Sequence, residues 1–334
     1  MFNNKIILIT GGTGSFGKNF TKRLLCNFKP KKIIIFSRDE FKQSEMKKEL
    51  SSFNQLRFFL GDVRDLNRLS MALKDVDYVI HAAALKQVDA IEYNPFEAVK
   101  TNIIGAQNLI TACLENKVKK VIALSTDKAS APINLYGATK LVSDKLFTSA
   151  NSYSGYKNLL FSVVRYGNVF GSRGSIAPHF YNILKNKTKI LPITDVKMTR
   201  FNITLNESID FVIKSMKVMK GGEIFIPKLK SYRVIDLASA FLNNPILKIQ
   251  GVRPGEKIHE NLTSDQESNL LYESKSFYVL FQADRLSNNP SRIIKKYDFK
   301  LNKVKKGFSL KSDQGPFLSI SMLNKLINSE NHLF

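Results

Sequence analysis

The sequence predicts an α/β protein in which helices cover both faces of a doubly wound parallel sheet. Over residues 1–170, short runs rich in β-branched residues alternate with amphipathic stretches, an order typical of βαβ units. We expect strands at 5–10, 32–37, 56–60, 77–82, 120–125 and 159–166. We expect helices between them, at 14–27, 39–50, 64–74, 95–116 and 136–150, with Asp65 as one N-cap.

After residue 170 the regular alternation ends. Glycines and prolines interrupt the short segments that follow. We therefore predict two unequal domains. Residues 1–170 form a nucleotide-binding domain, and residues 171–334 form a smaller, mainly substrate-binding portion whose chain crosses back to the sheet.

Length, composition and charge restrict the function classes. The chain has 334 residues, 43% of them hydrophobic, and a net charge of +23. The basic residues are scattered rather than clustered, which argues against a nucleic-acid partner, although a positive field attracts phosphorylated small molecules. No apolar run reaches the ~20 residues that span a bilayer, and no signal peptide is visible. With two cysteines, Cys26 and Cys113, we expect a cytoplasmic protein.

A glycine-rich turn follows the first predicted strand. Gly11, Gly14 and Gly17 are spaced three residues apart and open the first helix. Glycines there permit a tight turn and a close backbone approach, and the helix N-terminus attracts a pyrophosphate. This context predicts a Rossmann-type dinucleotide site. Its further candidate contacts are Thr13, Ser15 and Phe16.

The end of the second strand bears on which dinucleotide binds. An Arg at this position pairs with a 2′-phosphate, whereas an acid binds a free 2′-hydroxyl. Ser37, Arg38 and Lys42 favour NADP, and Asp39 leaves NAD as the less favoured alternative. Asp39 as a helix N-cap and the two cations as solvated surface charge are the competing interpretations.

Other candidate cofactor contacts follow the third and fourth strands. Asp62 either reaches the adenine or caps the next helix, and Val63 follows it. Small residues after the fourth strand let a dinucleotide lie against the sheet edge. Lys86 stands at the mouth of the cleft, and Asn102 either supports the backbone network there or is an ordinary helix residue. The small residues are Ala82, Ala83 and Ala84.

Tyr136 and Lys140 form a Tyr-x-x-x-Lys pair. Residues four apart on a helix share one face, so the Lys140 ammonium is expected to lower the Tyr136 pKa from roughly 10. Tyr136 is then a base for a sugar hydroxyl. Thr126, Asp127 and Lys128 lie one loop upstream and add an acid and an amine. Together they indicate a reaction that continues beyond hydride transfer.

These motifs resemble the extended short-chain dehydrogenase/reductase superfamily. Within it, the chain resembles the inverting UDP-N-acetylglucosamine 4,6-dehydratases that begin pseudaminic acid synthesis. Retaining hexose dehydratases carry Asp-Glu where this chain has Asp127-Lys128, and a sister group of 5-inverting enzymes has Met at Tyr136. Asn202 departs from the aromatic residue expected there. The other matching segments are 84–89, 165–175, 198–201 and 253–260.

The resemblance implies a substrate, roles and an assembly. UDP-N-acetylglucosamine is oxidised at C4, loses water across C5 and C6, and is inverted at C5, for glycosylation of surface structures such as flagellin. Asp127 is assigned as the acid at C6 and Lys128 as the base at C5, provided that the Lys128 pKa falls toward neutrality. Thr126 orients the C4 oxygen or caps the turn. Homo-oligomers through helices 95–116 and 136–150 are implied. Substrate contacts are assigned to Lys86, Asn168, Val169, Arg173, Arg200, Arg253 and Glu256.

Three alternatives remain open. In the simplest interpretation, Lys128 only binds a phosphate or is an ordinary surface charge. A nucleotide-sugar 4-epimerase shares the glycine turn, Tyr136 and Lys140 but does not need Asp127-Lys128. A non-catalytic NADP-sensing or RNA-binding protein is the alternative from another class. No metal site is predicted, since His81, His179 and His332 lack ligand spacing, and His259 is expected to pack at the domain seam.

Overall fold

The strands of the first half match the sequence pattern. A computed structural model describes residues 1–152, 155, 158–172, 174–283, 286 and 290–330. All six predicted strands are present, with ends within one residue of those expected. They are β1 (Ile6–Thr10), β2 (Lys32–Ser37), β3 (Leu56–Leu60), β4 (Tyr78–His81), β5 (Lys120–Thr126) and β6 (Leu160–Tyr166).

The helices of this half match with one exception. The predicted helix 95–116 is α5 (Pro95–Ala98), a π-helical turn (Val99–Ile104) and α6 (Gly105–Glu115), and α4 (Val88–Tyr93) was not expected. Asp65 caps the third helix by accepting a hydrogen bond from the Arg68 N–H at 2.9 Å. The other helices are α1 (Ser15–Asn27), α2 (Glu40–Glu49), α3 (Leu66–Ala72) and α7 (Leu135–Ser149).

The second half adds short strands and helices. A 3-10 turn at Asp127–Ala129 precedes α7, and another lies at Gln266–Leu270. The strands are β7 (Ile190–Ile193), β8 (Thr199–Asn202), β9 (Ile224–Pro227), β10 (Lys230–Arg233), β11 (Ile246–Ile249), β12 (Leu271–Glu273), β13 (Phe277–Leu280) and β14 (Asn302–Lys303). The helices are α8 (Ile176–Lys185), α9 (Leu205–Val218), α10 (Val234–Phe241), α11 (Pro290–Ile294) and α12 (Ile320–Glu330).

One large sheet organises the described chain. Its order is β14-β12-β13-β9-β6-β5-β4-β1-β2-β3, and the seven strands from β9 to β3 are parallel. The order 3-2-1-4-5-6 is that of a Rossmann fold, which confirms the predicted fold class. Four of the strands come from beyond residue 170, so the chain does return to the sheet. The division into domains at residue 170 stays a prediction.

The core explains the strand pattern. Alternate residues of β1 point to opposite faces, so Ile7 and Ile9 pack with one group of apolar side chains and Leu8 with another. A third apolar cluster, which includes Phe180 and Leu237, holds the smaller lobe together. The order in which successive strands are added to the sheet reverses between β1 and β4, and in such sheets ligands bind at the carboxyl ends of these strands. In the described chain, no helix has the length and apolarity needed to cross a membrane.

Candidate active site

A cavity of about 1100 Å³ crosses the carboxyl ends of the parallel strands. Asp127 lies behind its wall rather than in it, and Arg173 falls outside the described residues. The other predicted site residues all line it. On the nucleotide side these are Gly11, Thr13, Gly14, Ser15, Phe16, Gly17, Ser37, Arg38, Asp39, Lys42, Asp62, Val63, Ala82, Ala83 and Ala84. On the substrate side these are Lys86, Thr126, Lys128, Tyr136, Lys140, Asn168, Val169, Arg200, Arg253 and Glu256.

The glycine turn leaves no room for side chains. Gly11 has a φ of +63°, and a Cβ there would lie 2.8 Å from the Ala83 nitrogen. A Cβ on Gly17 would lie 2.6 Å from the Gly12 Cα. The N-cap of α1, Gly14, has no side chain to satisfy the helix N–H groups. The turn therefore presents bare backbone donors beside small residues, which fits the pyrophosphate of a dinucleotide.

The end of β2 uses its acid as a helix cap. Asp39 accepts a hydrogen bond from the Lys42 N–H at 2.9 Å and pairs with the Lys42 Nζ at 2.6 Å. These bonds lower the pKa of Asp39. The Arg38 side chain is half exposed and faces the Asp62 carboxylate at 3.5 Å. The N-cap interpretation of Asp39 is thus the one its contacts support.

Two polar residues organise the neighbouring loops. Asp62 accepts hydrogen bonds from the Arg64 backbone and side chain. Burial alone would raise the Asp62 pKa, but Arg64 and Arg38 outweigh it and lower that pKa. Asn102, in the π-helical turn, pairs with both backbone groups of Leu85 at 2.9 and 3.0 Å. Asn102 therefore fixes the backbone that leads to Lys86.

The pKa of Tyr136 differs from the expectation. Burial raises it to about 12, against the opposing charge of Lys128 and a hydrogen bond with Thr126. Lys140 is 3% exposed, and burial lowers its pKa although the Asp144 charge opposes this. The prediction that Lys140 lowers the Tyr136 pKa was wrong for the protein alone, because the low-dielectric surroundings penalise a phenolate more than nearby cations favour it.

Lys128 is held between two carboxylates. Its Nζ lies 3.1 Å from Asp127 Oδ1 and 3.0 Å from Glu260 Oε1. Burial opposes the ammonium form, but the two carboxylates outweigh burial and raise the Lys128 pKa. The condition set for Lys128 as a base, a pKa near neutrality, was wrong for the protein alone. The Arg200 charge and burial act against the ammonium form, but the two carboxylates outweigh them.

Glu260 is the residue that the sequence analysis missed. It is 2% exposed, yet it lines the cavity next to Lys128. The Lys128 and Arg200 charges outweigh burial and lower the Glu260 pKa. The same segment contains Lys257, whose Nζ donates a hydrogen bond to the backbone oxygen of Ser130 at 2.9 Å. The sequence signal was the matching segment 253–260, in which Glu260 was given no role.

Asp127 and Thr126 occupy the turn after β5. Thr126 accepts a hydrogen bond from the Lys128 N–H, so it caps the 3-10 turn as its alternative interpretation held. Its hydroxyl also lies 3.0 Å from Asp127 Oδ1. Asp127 is fully buried, and burial raises its pKa. Its Oδ2 lies beside the cavity-lining Gly167, 3.2 Å from where a Cβ would stand.

The far end of the cavity is rich in arginine. Arg253 is exposed and pairs with Glu256 at 3.1 Å, and Arg200 faces the same carboxylate at 3.5 Å. The Asn134 Nδ2 donates to the Gly255 oxygen at 2.7 Å. This loop is therefore tied to the start of α7, which carries Tyr136.

The histidines, which were given no catalytic or metal-binding role, and Asn202 complete the set of residues named from the sequence. His259 shares a hydrogen bond with Thr199 at 2.8 Å. His81 shares one with Thr10 at 2.8 Å, and burial together with the Lys140 charge lowers the His81 pKa to about 3. Asn202 does not line the cavity. His332 lies outside the described residues.

Known proteins resemble the chain along its full length. The family model described as polysaccharide biosynthesis protein matches residues 7–282. A Campylobacter jejuni strain 81-176 protein named UDP-N-acetylglucosamine 4,6-dehydratase (inverting) is 55% identical over 95% of both chains. A Rickettsia bellii protein named UDP-glucose 4-epimerase is 45% identical over 80% of both chains. The X-ray structure of Pen from Bacillus thuringiensis superposes with a TM-score of 0.89 and 37% identity, covering 100% and 99% of the two chains.

These likenesses agree with the sheet order and the glycine turn. The match to the family model spans both the nucleotide side and most of the substrate side of the cavity. The chain belongs to the polysaccharide biosynthesis protein family, within the extended short-chain dehydrogenases/reductases.

Proposed function

We propose that the protein is an NADP-dependent UDP-N-acetylglucosamine 4,6-dehydratase that inverts C5. The product is UDP-2-acetamido-2,6-dideoxy-β-L-arabino-hex-4-ulose. The observation that carries this proposal is Lys128, held between two carboxylates in the same cavity as Tyr136 and the glycine turn. The name of the Campylobacter relative supports the same assignment.

Tyr136 is proposed to take the proton of the C4 hydroxyl. A bound dinucleotide supplies the hydride acceptor for C4 and the hydride donor for C6. Because Tyr136 is a neutral phenol before the reaction, its own proton must first pass to solvent, and Lys128 and Thr126 favour this ionisation. The phenolate then accepts the C4 proton. Thr126, which contacts Tyr136, is placed to orient the oxygen at C4.

Acid–base catalysis at C5 and C6 is assigned to Lys128 and its neighbour Asp127. A 4-keto group acidifies the C5 hydrogen, so a base of modest strength suffices. Lys128 is proposed as that base and Asp127 as the acid that protonates the departing hydroxyl. Burial raises the Asp127 pKa, which favours the protonated form that this role requires.

The remaining substrate contacts follow from the lining. Arg200 and Arg253 are proposed to bind the diphosphate, since guanidinium groups make paired bonds to phosphate oxygens. Glu256 sits between them and is proposed to bind ribose hydroxyls. Lys86, Asn168 and Val169 line the sugar side. Arg173 remains a proposed contact on the strength of its motif alone.

NADP is favoured over NAD by the end of β2. The Asp39 carboxylate already caps α2 and pairs with Lys42. It is therefore less available to bind a ribose hydroxyl. Among the described residues, the Arg38 guanidinium is paired only with Asp62, at 3.5 Å, so a 2′-phosphate would gain a close partner.

We also propose a homo-oligomer in the cytoplasm that supplies a pseudaminic acid pathway for surface glycosylation. Apolar side chains on the predicted contact helices support the oligomer. Phe96 is 62% exposed, and Ile104 and Val142 are also exposed. Tyr93, at the end of the adjoining α4, is 87% exposed. Free thiols at Cys26 and Cys113 agree with a reducing compartment.

Incubation with UDP-N-acetylglucosamine tests the proposal. A product lighter by one water supports the dehydratase. An isobaric product would instead support the epimerase, the second candidate, which the Rickettsia relative's name favours. Unchanged sugar together with salt-sensitive RNA retention would support the binding protein.

A further inference from the structure

Two buried carboxylates from distant parts of the chain meet at one amine. Lys128 Nζ contacts Asp127 Oδ1 at 3.1 Å and Glu260 Oε1 at 3.0 Å. Asp127 is 0% exposed and Glu260 is 2% exposed. Within the described residues, neither Asp127 Oδ2 nor Glu260 Oε2 has a hydrogen-bond partner. Each carboxylate thus keeps one oxygen that is available for a proton.

Glu260 is fixed by its backbone. Its N–H donates to Ser312 Oγ at 2.9 Å, and its carbonyl accepts from the Ser312 N–H at 2.9 Å. Its side chain also lies 3.9 Å from the Arg200 Nε. Glu260 therefore contacts Lys128 from the segment 253–260, whereas Asp127 contacts it from the turn after β5.

Charges and burial favour different forms of the three groups. Burial raises the Asp127 pKa, which favours its acid form, and the carboxylates raise the Lys128 pKa, which favours the ammonium. The Lys128 and Arg200 cations lower the Glu260 pKa, which favours the carboxylate. These are the starting forms for the elimination step. An ammonium has no lone pair, so Lys128 needs a proton acceptor before it acts as a base.

We propose that Glu260 is that acceptor, so that Asp127, Lys128 and Glu260 form a proton relay for the elimination step. The proposal rests on the dehydratase function above. As the C5–H bond breaks, its proton passes to the Lys128 nitrogen, the Lys128 N–H bond that faces Glu260 breaks and a Glu260 O–H bond forms. The C–H electrons pass into the 4-keto group as an enolate.

The elimination step needs no other reactant, and the product is completed afterwards by reduction at C6 and by a solvent proton at C5. The enolate electrons form the C5–C6 double bond, the C6–O bond breaks, and the hydroxyl leaves as water with the Asp127 proton. Lys128 next gives a proton to Asp127 and recovers one from Glu260. All three groups regain their starting protonation. Glu260 acts through Lys128 and is thus a positioning residue and proton store for it.

Glu260→Gln tests the relay. Glutamine keeps the oxygen that binds Lys128 but accepts no proton. We expect dehydration and solvent deuterium exchange at C5 to fall about 100-fold or more, the usual size of a general acid–base contribution. Reduction of bound NADP by substrate in a single turnover is expected to persist. Glu260→Asp is expected to recover part of the exchange.

Glu223→Gln is the matched control. Glu223 is also a buried glutamate, but it binds Ser162 and does not line the cavity. We expect this variant to lose stability without a selective loss of exchange. Wild-type exchange in Glu260→Gln, or equal losses of hydride transfer and exchange, would overturn the relay.

The pH dependence of Lys128 acylation, followed by mass spectrometry, tests the Lys128–Glu260 interaction without catalytic turnover. Asp127, Glu260, Lys86, Tyr136, Arg200 and Lys257 surround this amine or its carboxylates. Removing the Glu260 charge lowers the Lys128 pKa, so acylation is expected to begin about one pH unit lower in Glu260→Gln. An unchanged profile would overturn the relay. If wild-type protein does not dehydrate the substrate, the proposed function fails, while this profile still decides the Lys128–Glu260 coupling.

Discussion

The two ends of the cavity are built in different ways. The nucleotide end is made of backbone, since Gly11 and Gly17 leave no space for a Cβ and Gly14 bears no cap. The catalytic end is made of charged side chains, with Lys128 joined to Glu260 across 132 residues of sequence (260 minus 128). The first end depends on shape and the second on charge. Substitutions should therefore affect the two ends differently.

Lys128→Ala is the largest expected effect. Removing the amine removes the base at C5, so solvent deuterium exchange at C5 should fall at least ~1000-fold, within the range of general acid–base catalysis. Cofactor affinity should stay near the wild-type value, as measured by fluorescence titration. Tyr136→Phe is the complementary variant, because it should block cofactor reduction as well. An unchanged rate of C5 deuterium exchange in Lys128→Ala would contradict the conclusion that the catalytic end depends on charged side chains.

Gly17→Val should damage the nucleotide end through shape alone. Its Cβ would lie 2.6 Å from the Gly12 Cα, and such overpacking costs about 1–3 kcal/mol. We expect lower thermal stability and loss of dinucleotide binding by calorimetry. Gly14→Ala is the matched control, since a Cβ there meets only the Gly11 oxygen at 3.2 Å. Equal losses in the two variants would contradict the close-packing explanation.

His81, the last residue of β4, is 1% exposed and shares a hydrogen bond with Thr10 at the end of β1. Its pKa is lowered to about 3, whereas an unfolded chain titrates near 6.5. The unfolded state binds more protons between these values, so the His81 contribution to stability is lost as pH falls from 6.5 toward 3. The limiting slope is ~1.4 kcal/mol per pH unit. Denaturant unfolding of His81→Gln should show a weaker pH dependence than wild type, and parallel curves would exclude this role.

Arg38→Ala should give the smallest of these effects. Losing one exposed guanidinium should weaken NADP binding by about tenfold, or ~1.4 kcal/mol, and leave NAD binding nearly unchanged. Arg64→Ala is the control, since Arg64 also pairs with Asp62 but does not line the cavity. An equal weakening of NAD and NADP in Arg38→Ala would remove the argument for a 2′-phosphate.

Local patterns predicted the nucleotide end well. Strand ends, the glycine turn and the Asp65 cap depend on neighbours in sequence, and all appear where expected. The π-helical turn was not foreseen, because its residues read as one continuous amphipathic helix. Helix α4 was missed because six residues give too little periodicity.

The catalytic end shows what sequence could not supply. Tyr136 and Lys140 were found from their spacing, but their pKa values depend on burial, which the spacing does not reveal. Asp127 was assigned as the acid at C6 from its motif, which does not reveal that its side chain is fully buried behind the cavity lining. Glu260 reaches Lys128 only because the 253–260 segment folds back onto the turn after β5.

Proton NMR of the product formed from UDP-N-acetylglucosamine in deuterated water tests the central claim most directly. The account predicts a 4-keto-6-deoxy sugar with an inverted C5 that carries solvent deuterium. An epimerised sugar that retains its C6 hydroxyl and its C5 proton would contradict it.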